Sequence, residues 1–270
     1  MMTIHQIKTQ LINNPWLITQ EAYITIQSAI DELSFELQEV EVEAEEPSIA
    51  NDIGVLNLQG TVMRDVPPVL AKLFGIADVA VFRDQVKALA DDDSVKGIML
   101  NIDSPGGSVT GVEEAGEAVA YANSKKPVYA SVEGLMASAA YWIGSQARMI
   151  VASNSSKVGS IGVYLPVVDS SESYKAQGIQ VELIKNKEAT YKGAGFDGTS
   201  LTKDQKDYMG EMVQDIFNSF KGAVVSARSQ VKSGAMRGQS FLGKKAKEQG
   251  LVDVNGSFEE AMALLKYEIN

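Results

Sequence analysis

The chain has 270 residues, 45% hydrophobic and 22% charged, with a formal net charge of −11. That composition fits one large globular domain, alone or with an appendage, and the acidity argues against nucleic acid or anionic membrane as partners. There is no cysteine and a single histidine, His5, which excludes disulfide scaffolds, thiolate chemistry, multi-histidine metal sites and nearly every histidine-based triad.

From the N-terminus, residues 1–50 read as a separate helical extension with an acidic linker, and residues 51–270 as the main domain. The opening Met1-Met-Thr-Ile-His5 lacks the charged head and apolar middle of a signal peptide. No apolar run approaches the roughly 20 residues of a membrane span, so a cytoplasmic location is expected. Thr19 caps a predicted helix with Ala22, Ile26, Ile30, Leu33 and Leu37 on one face. Pro15-Trp16 anchors its entry, and Glu39–Pro47 reads as a solvated linker or an edge strand.

Beyond residue 52 apolar runs alternate with helical periodicity. Strands are predicted at Ile53–Gly60, Lys96–Asp103, Pro127–Val132, Arg148–Ala152 and Ile179–Ile184, with a turn and strand over Gly159–Leu165. Helices are predicted at Val81–Asp91, Thr110–Asn123, after Gly134, and at Ser171–Gln177. This alternation indicates an α/β domain with mostly parallel pairing. Between the first strand and helix, Thr61–Ala80 holds Pro67-Pro68 and reads as a surface excursion or the wall of a substrate cleft. The end is helical: a long amphipathic helix from Thr202 to about Ser233, suited to packing or subunit contacts, then Gly243–Gln249 and Ser257–Tyr267.

Ser138 follows a short strand and a glycine turn and opens an Ala-rich helix, Ala139-Ala-Tyr-Trp142. A hydroxyl there is either an N-cap or a nucleophile set beside free backbone N–H groups. Asp103-Ser-Pro-Gly-Gly107 closes a buried strand at its carboxyl end, where ligands gather in open α/β sheets. Its glycines let the backbone approach a substrate, so the N–H groups of Gly107 and Ala139 can form a two-donor oxyanion hole; a tight turn is the simpler account of the glycines. A serine without a histidine partner takes lysine as the practical base where burial lowers the lysine pKa. Lys185, Lys187 and Lys192 are the candidates, and the residues themselves do not choose among them. Ser160, in a second Gly-Ser turn, can hold such a lysine by a hydrogen bond.

From about Ile53 to Ala263 these pieces, in this order, resemble the signal peptide peptidase A (SppA) family of serine peptidases and its phage-encoded capsid-assembly relatives. The match runs through Gly54–Thr61, Asp103–Gly107, Ala137–Trp142, Gly159–Val163, Ala189–Gly193 and Gly243–Asp253. It implies a crotonase/ClpP-like α/β fold of repeated β-β-α units and a Ser–Lys dyad. Ser138 then takes the place of the nucleophile, Lys192 of the base with Lys187 in reserve, Ser160 of the residue steadying the lysine, and Gly107 of an oxyanion donor. The sequence departs from the family in reading Ser-Ala-Ala where relatives often have Ser-Gly-Gly. It also has Lys187-Glu-Ala-Thr-Tyr191 where a Gly-rich run often precedes the lysine.

The resemblance further implies a ring-shaped homo-oligomer acting on extended or unfolded protein segments, without metal or organic cofactor. Asn14-Pro-Trp-Leu-Ile-Thr19 resembles the phage branch, which trims scaffold and capsid proteins during head assembly in the host cytoplasm or procapsid. The alternatives are a bacterial cytoplasmic peptidase of the same family, an acyl-CoA enzyme using similar paired N–H groups, and a non-catalytic scaffold-binding ring.

Overall fold

The computed structural model describes residues 15–31 and 46–270. His5, Leu33, Leu37 and residues 39–45 of the acidic run lie outside the described residues. The chain forms β1 (Trp16–Ile18), α1 (Gln20–Asp31), β2 (Ser48–Ala50), β3 (Ile53–Gln59), β4 (Thr61–Met63), α2 (Pro68–Phe74), β5 (Ile76–Asp78) and α3 (Val79–Asp91). There follow β6 (Gly97–Asp103), β7 (Gly106–Ser108), α4 (Val112–Lys125), β8 (Val128–Val132), β9 (Leu135–Ala137), α5 (Ala139–Gly144), β10 (Met149–Ala152) and β11 (Lys157–Gly159). The last third holds α6 (Ser171–Ala176), α7 (Lys203–Ala227), β12 (Ser240–Leu242), α8 (Gly243–Glu248), β13 (Val254–Asn255) and α9 (Phe258–Ile269).

A long strand, a short strand and a helix recur, as in β6-β7-α4 and β8-β9-α5. The long strands pair side by side in one sheet of order β13-β10-β8-β6-β3-β2, parallel except for the β2 edge. The short strands leave that sheet and form two smaller ones, β1-β7-β4-β5 and β12-β11-β9. The expected α/β fold of repeated β-β-α units is therefore present.

Burial on both faces explains why β6 reads as a continuous apolar run. Ile98, Leu100 and Ile102 enter the main core with Val119 of α4 and Ile143 of α5. Met99 faces the other way, joining Tyr129, Val151 and the α9 residues Ala261 and Leu265. A smaller third cluster gathers Trp16, Ile18, Ile26, Met63, Val66, Leu70 and Ile76. The 61–80 segment, read as an excursion or cleft wall, thus folds into β4, α2 and β5 and makes a bed for β1.

Helix α1 begins where Thr19 predicts, its Oγ1 accepting the Ala22 N–H at 3.4 Å. Three other expectations are corrected: the strand read over Gly159–Leu165 lies earlier, as β11, and beyond it only Tyr164 forms a single bridge, to Trp16. Ile179–Ile184 forms no strand: among the described residues nothing pairs with it, and Ile184 stands 96% exposed. Its alternation has no ladder and no core to serve. The long C-terminal helix starts as expected, with a capping box at Thr202 and Gln205, but ends at Ala227 rather than near Ser233.

That early end follows from Arg228. Its backbone leaves the helix at φ −133° while its buried guanidinium donates to the Ser145 carbonyl at 3.1 Å, to the Ala147 carbonyl, and to Asp253 at 2.6 Å. This clamp and the Trp142–Phe220 stack, with centroids 4.9 Å apart, hold α7 against the end of α5. Arg228→Ala strands two carbonyls and takes the cation from a partly buried carboxylate, which keeps only the Ile150 and Gln230 donors, a loss of about 3 kcal/mol or more. We expect its Tm to fall by roughly 6–12 °C in thermal denaturation followed by circular dichroism.

Candidate active site

The end of β6 is stitched to the strand that delivers Ser138. Asp103 accepts the Leu135 N–H at 2.9 Å through its carboxylate, and the Ser104 N–H donates to the Leu135 carbonyl at 2.6 Å. The Ala137 N–H donates to the Ser104 carbonyl at 3.1 Å. Gly134 leaves room for the Asp103 carboxylate, which would stand 2.4 Å from any Cβ there. Ser104 Oγ then accepts the Gly106 N–H at 3.2 Å, turning the chain into β7.

Ser138 sits between β9 and α5 with φ 56° and ψ −117°. A β-carbon makes that backbone unfavourable, and residues held so are found chiefly where surrounding structure and function impose it. The capping alternative fails here. A capping serine lies in the extended region and its oxygen accepts an N–H of the first turn; Ser138 does neither, and its buried Oγ has no hydrogen-bond partner. The turn is fixed instead by the backbone, the Ser138 N–H donating to the Gly159 carbonyl at 2.8 Å and its carbonyl accepting from Trp142 at 2.9 Å. The Ala139 N–H, in the first turn of α5, has no partner within the helix.

Ser160 occupies the matching place on the neighbouring strand. Ala137 of β9 pairs with Gly159 of β11, so the two serines follow paired residues, and Ser160 repeats the positive φ at 54°. Its N–H is tied to the Gln239 carbonyl at 2.9 Å. Ser160, Ile18, Leu135, Lys157, Phe217 and Arg237 are among the residues lining a cleft of about 910 Å³.

Gly107 is wedged against β4: a Cβ there would stand 1.7 Å from the Val62 carbonyl oxygen. On its other side runs β1, antiparallel, with Leu17 opposite Gly107. The Thr19 N–H donates to the Pro105 carbonyl at 3.1 Å. By the two-residue alternation of an antiparallel ladder, Leu17 and Gly107 are therefore a hydrogen-bonded pair, with the Gly107 N–H donating to the Leu17 carbonyl. A Cβ on Gly106 would stand 2.1 Å from that Leu17 oxygen and 2.9 Å from Ala139 N. The Gly107 and Ala139 N–H groups thus lie around one small region beside Ser138.

The lysines are elsewhere. Lys185, Lys187 and Lys192 are all exposed on the irregular segment before α7, and Lys185 Nζ donates to the carbonyls of Thr190 and Lys192 at 3.0 and 3.2 Å. The structure brings Ser138, Ser160, Gly107 and Ala139 together and does not bring a lysine into hydrogen-bond contact with Ser138. Sequence reasoning also missed β1, whose signal was only the apolar Trp16-Leu-Ile18 after Pro15, and the cleft residue Lys157. Among the described residues no group of acidic or histidine side chains is suited to hold a metal ion, and no helix is long and apolar enough to cross a membrane.

The model of peptidase family S49 matches residues 120–270, and that of Clp protease matches residues 76–155. Putative protease MJ0651 of Methanocaldococcus jannaschii is 35% identical over 196 residues, which are 72% of this chain and 62% of that one. Capsid assembly protease C of Escherichia phage lambda is 22% identical over 263 residues, 96% of this chain and 57% of that one. The chain thus spans less than two thirds of either relative. An enoyl-CoA hydratase of Mycobacterium smegmatis superposes over 83% of this chain and 74% of its own, with 12% identity and a TM-score of 0.48.

Proposed function

The chain belongs to peptidase family S49, and from that premise we propose that it is a serine endopeptidase in which Ser138 is the nucleophile and Lys192 its base. The observation that carries this reading is the Ser138 turn. A buried, unbonded hydroxyl held at φ 56° serves no structural purpose, and it lies beside two N–H groups suited to an oxyanion.

In the reaction, a neutral lysine amine takes the Ser138 proton as the oxygen bonds to a peptide carbonyl carbon. The Gly107 and Ala139 N–H groups hold the resulting oxyanion. Collapse breaks the C–N bond, the lysine returns the proton to the leaving amine, and water repeats the sequence through the same base to release the acid. Ser160 orients the lysine. In the conformation described Lys192 is exposed and the Gly107 N–H is held by the Leu17 carbonyl, so the step requires the 185–198 segment to close on the cleft and Leu17 to give up that N–H.

The substrates are extended or unfolded protein segments, and the protein works as a ring-shaped homo-oligomer. We assign it to phage head maturation, acting on scaffold or capsid proteins in the host cytoplasm or procapsid. The support is the similarity to a capsid assembly protease across 96% of this chain.

Hydrolysis of an unfolded protein, read by mass spectrometry from pH 7 to 9, tests the base. Lys192→Ala should lose at least 100-fold in rate, the typical worth of general base catalysis, whereas Lys187→Ala and Lys185→Ala stay within a few fold of wild type. Full activity in Lys192→Ala would remove that lysine from the mechanism.

A further inference from the structure

We propose that β1 is an occupant of the protein's own substrate groove, holding it closed with an apolar sequence that mimics the peptide it takes. The proposal rests on the reading of Ser138 and Gly107 as nucleophile and oxyanion donor.

Three observations point the same way. First, β1 is bonded on both edges, as a bound extended peptide would be. Leu17 pairs with Gly107 on one side. On the other, Trp16 exchanges both backbone bonds with Tyr164, its N–H donating at 2.8 Å and its carbonyl accepting at 3.2 Å. Second, the carbonyl directed at the Gly107 N–H, and crowding the same point as Ala139 N, is that of Leu17. That is where the carbonyl of a scissile bond must lie. Third, the Ser138 oxygen is shut off from solvent without being bonded to anything. A nucleophile so placed cannot meet a substrate until something moves.

The side chains extend the argument to specificity. A strand sends alternate residues to opposite sides, and β1 does so. Trp16 and Ile18 enter the cluster of Met63, Val66, Leu70 and Ile76, while Leu17 enters the main core. The groove therefore takes an extended segment with apolar side chains at three consecutive positions, with an aliphatic one at the carbonyl facing Ser138. Because β1 is tethered through α1, it competes at an effective concentration in the millimolar range, which a free peptide must exceed.

A reversible lock tests this. Trp16 and Ser108 face each other as a non-hydrogen-bonded antiparallel pair, whose Cα separation of about 4.5 Å suits a disulfide. The chain has no cysteine, so Trp16→Cys with Ser108→Cys forms only that bridge when oxidised with glutathione disulfide. In a Ser138→Ala background, a fluorescent peptide of the sequence of residues 14–19 is titrated by anisotropy. The reduced protein should bind it at least ten-fold more tightly than the oxidised one; equal binding overturns the proposal.

Trp16 is a buried core residue, so hydrogen exchange on the Ser138→Ala protein with β1 intact gives a second reading. Saturating peptide should speed exchange of the Trp16 and Leu17 amides by at least ten-fold. Binding that leaves both amides protected overturns the proposal. Binding does not depend on catalysis, so a wild-type protein whose peptidase activity survives Ser138→Ala would refute the function proposed above while these two readings still decide the role of β1.

Discussion

Ser138→Ala should cut hydrolysis of an unfolded protein by about 10⁶-fold, the loss seen when the nucleophile of a serine peptidase is removed. The fold should survive intact. The Ser138 oxygen makes no hydrogen bond, so its removal breaks no interaction, and the turn is held by backbone bonds to Gly159 and Trp142 that alanine keeps. Ser138→Gly carries the reasoning further. Glycine adopts φ 56° without the penalty of a β-carbon, and releasing strain of about 1–3 kcal/mol should raise the Tm as activity disappears. Stability gained with function lost is the signature of a residue held in place for chemistry. Two ordinary results would contradict it: hydrolysis surviving in Ser138→Ala, or a lower Tm in Ser138→Gly.

How legible this site was in the sequence depended on the range of the interactions involved. Asp103–Gly107 and Ala137–Trp142 could be read because each is a local device, a strand end followed by glycines or a turn entering a helix, and the structure joins them through Ser104 and Leu135. The alternation of long strands and helices was legible for the same reason. Ile179–Ile184 misled because period-two patterning describes a strand only where a partner exists, and this run has none among the described residues. Strand β1 went unseen for the opposite reason: three residues carry almost no periodicity, and their conformation is set by Gly107 and Tyr164, far along the chain. The short strands β4, β7, β9 and β11 have the same origin, since each is fixed by pairing outside the main sheet. The choice among three lysines was beyond local reading too, because what makes a lysine a base is a cleft that no neighbouring residue encodes.

Gly107→Ala is expected to damage fold and chemistry together. The added methyl would stand 1.7 Å from the Val62 carbonyl oxygen and 2.5 Å from its carbon, and since both atoms are backbone no side-chain rotation relieves the contact. Either β4 or β7 must shift. Overpacking of this kind costs about 1–3 kcal/mol or more, and for a chain of this size that lowers the Tm by roughly 2–12 °C. The chemical loss is separate: a displaced β7 carries the Gly107 N–H away from the oxyanion, and loss of one such donor costs about 10²- to 10³-fold in kcat. Binding offers the control. An oxyanion donor acts on the transition state, so kcat should fall even at saturating substrate, whereas a simply unstable enzyme would keep its kcat per folded molecule at low temperature. Normal kcat in Gly107→Ala protein that is folded at the assay temperature would move the oxyanion hole elsewhere. It would also leave the Leu17 carbonyl facing a glycine of purely structural importance.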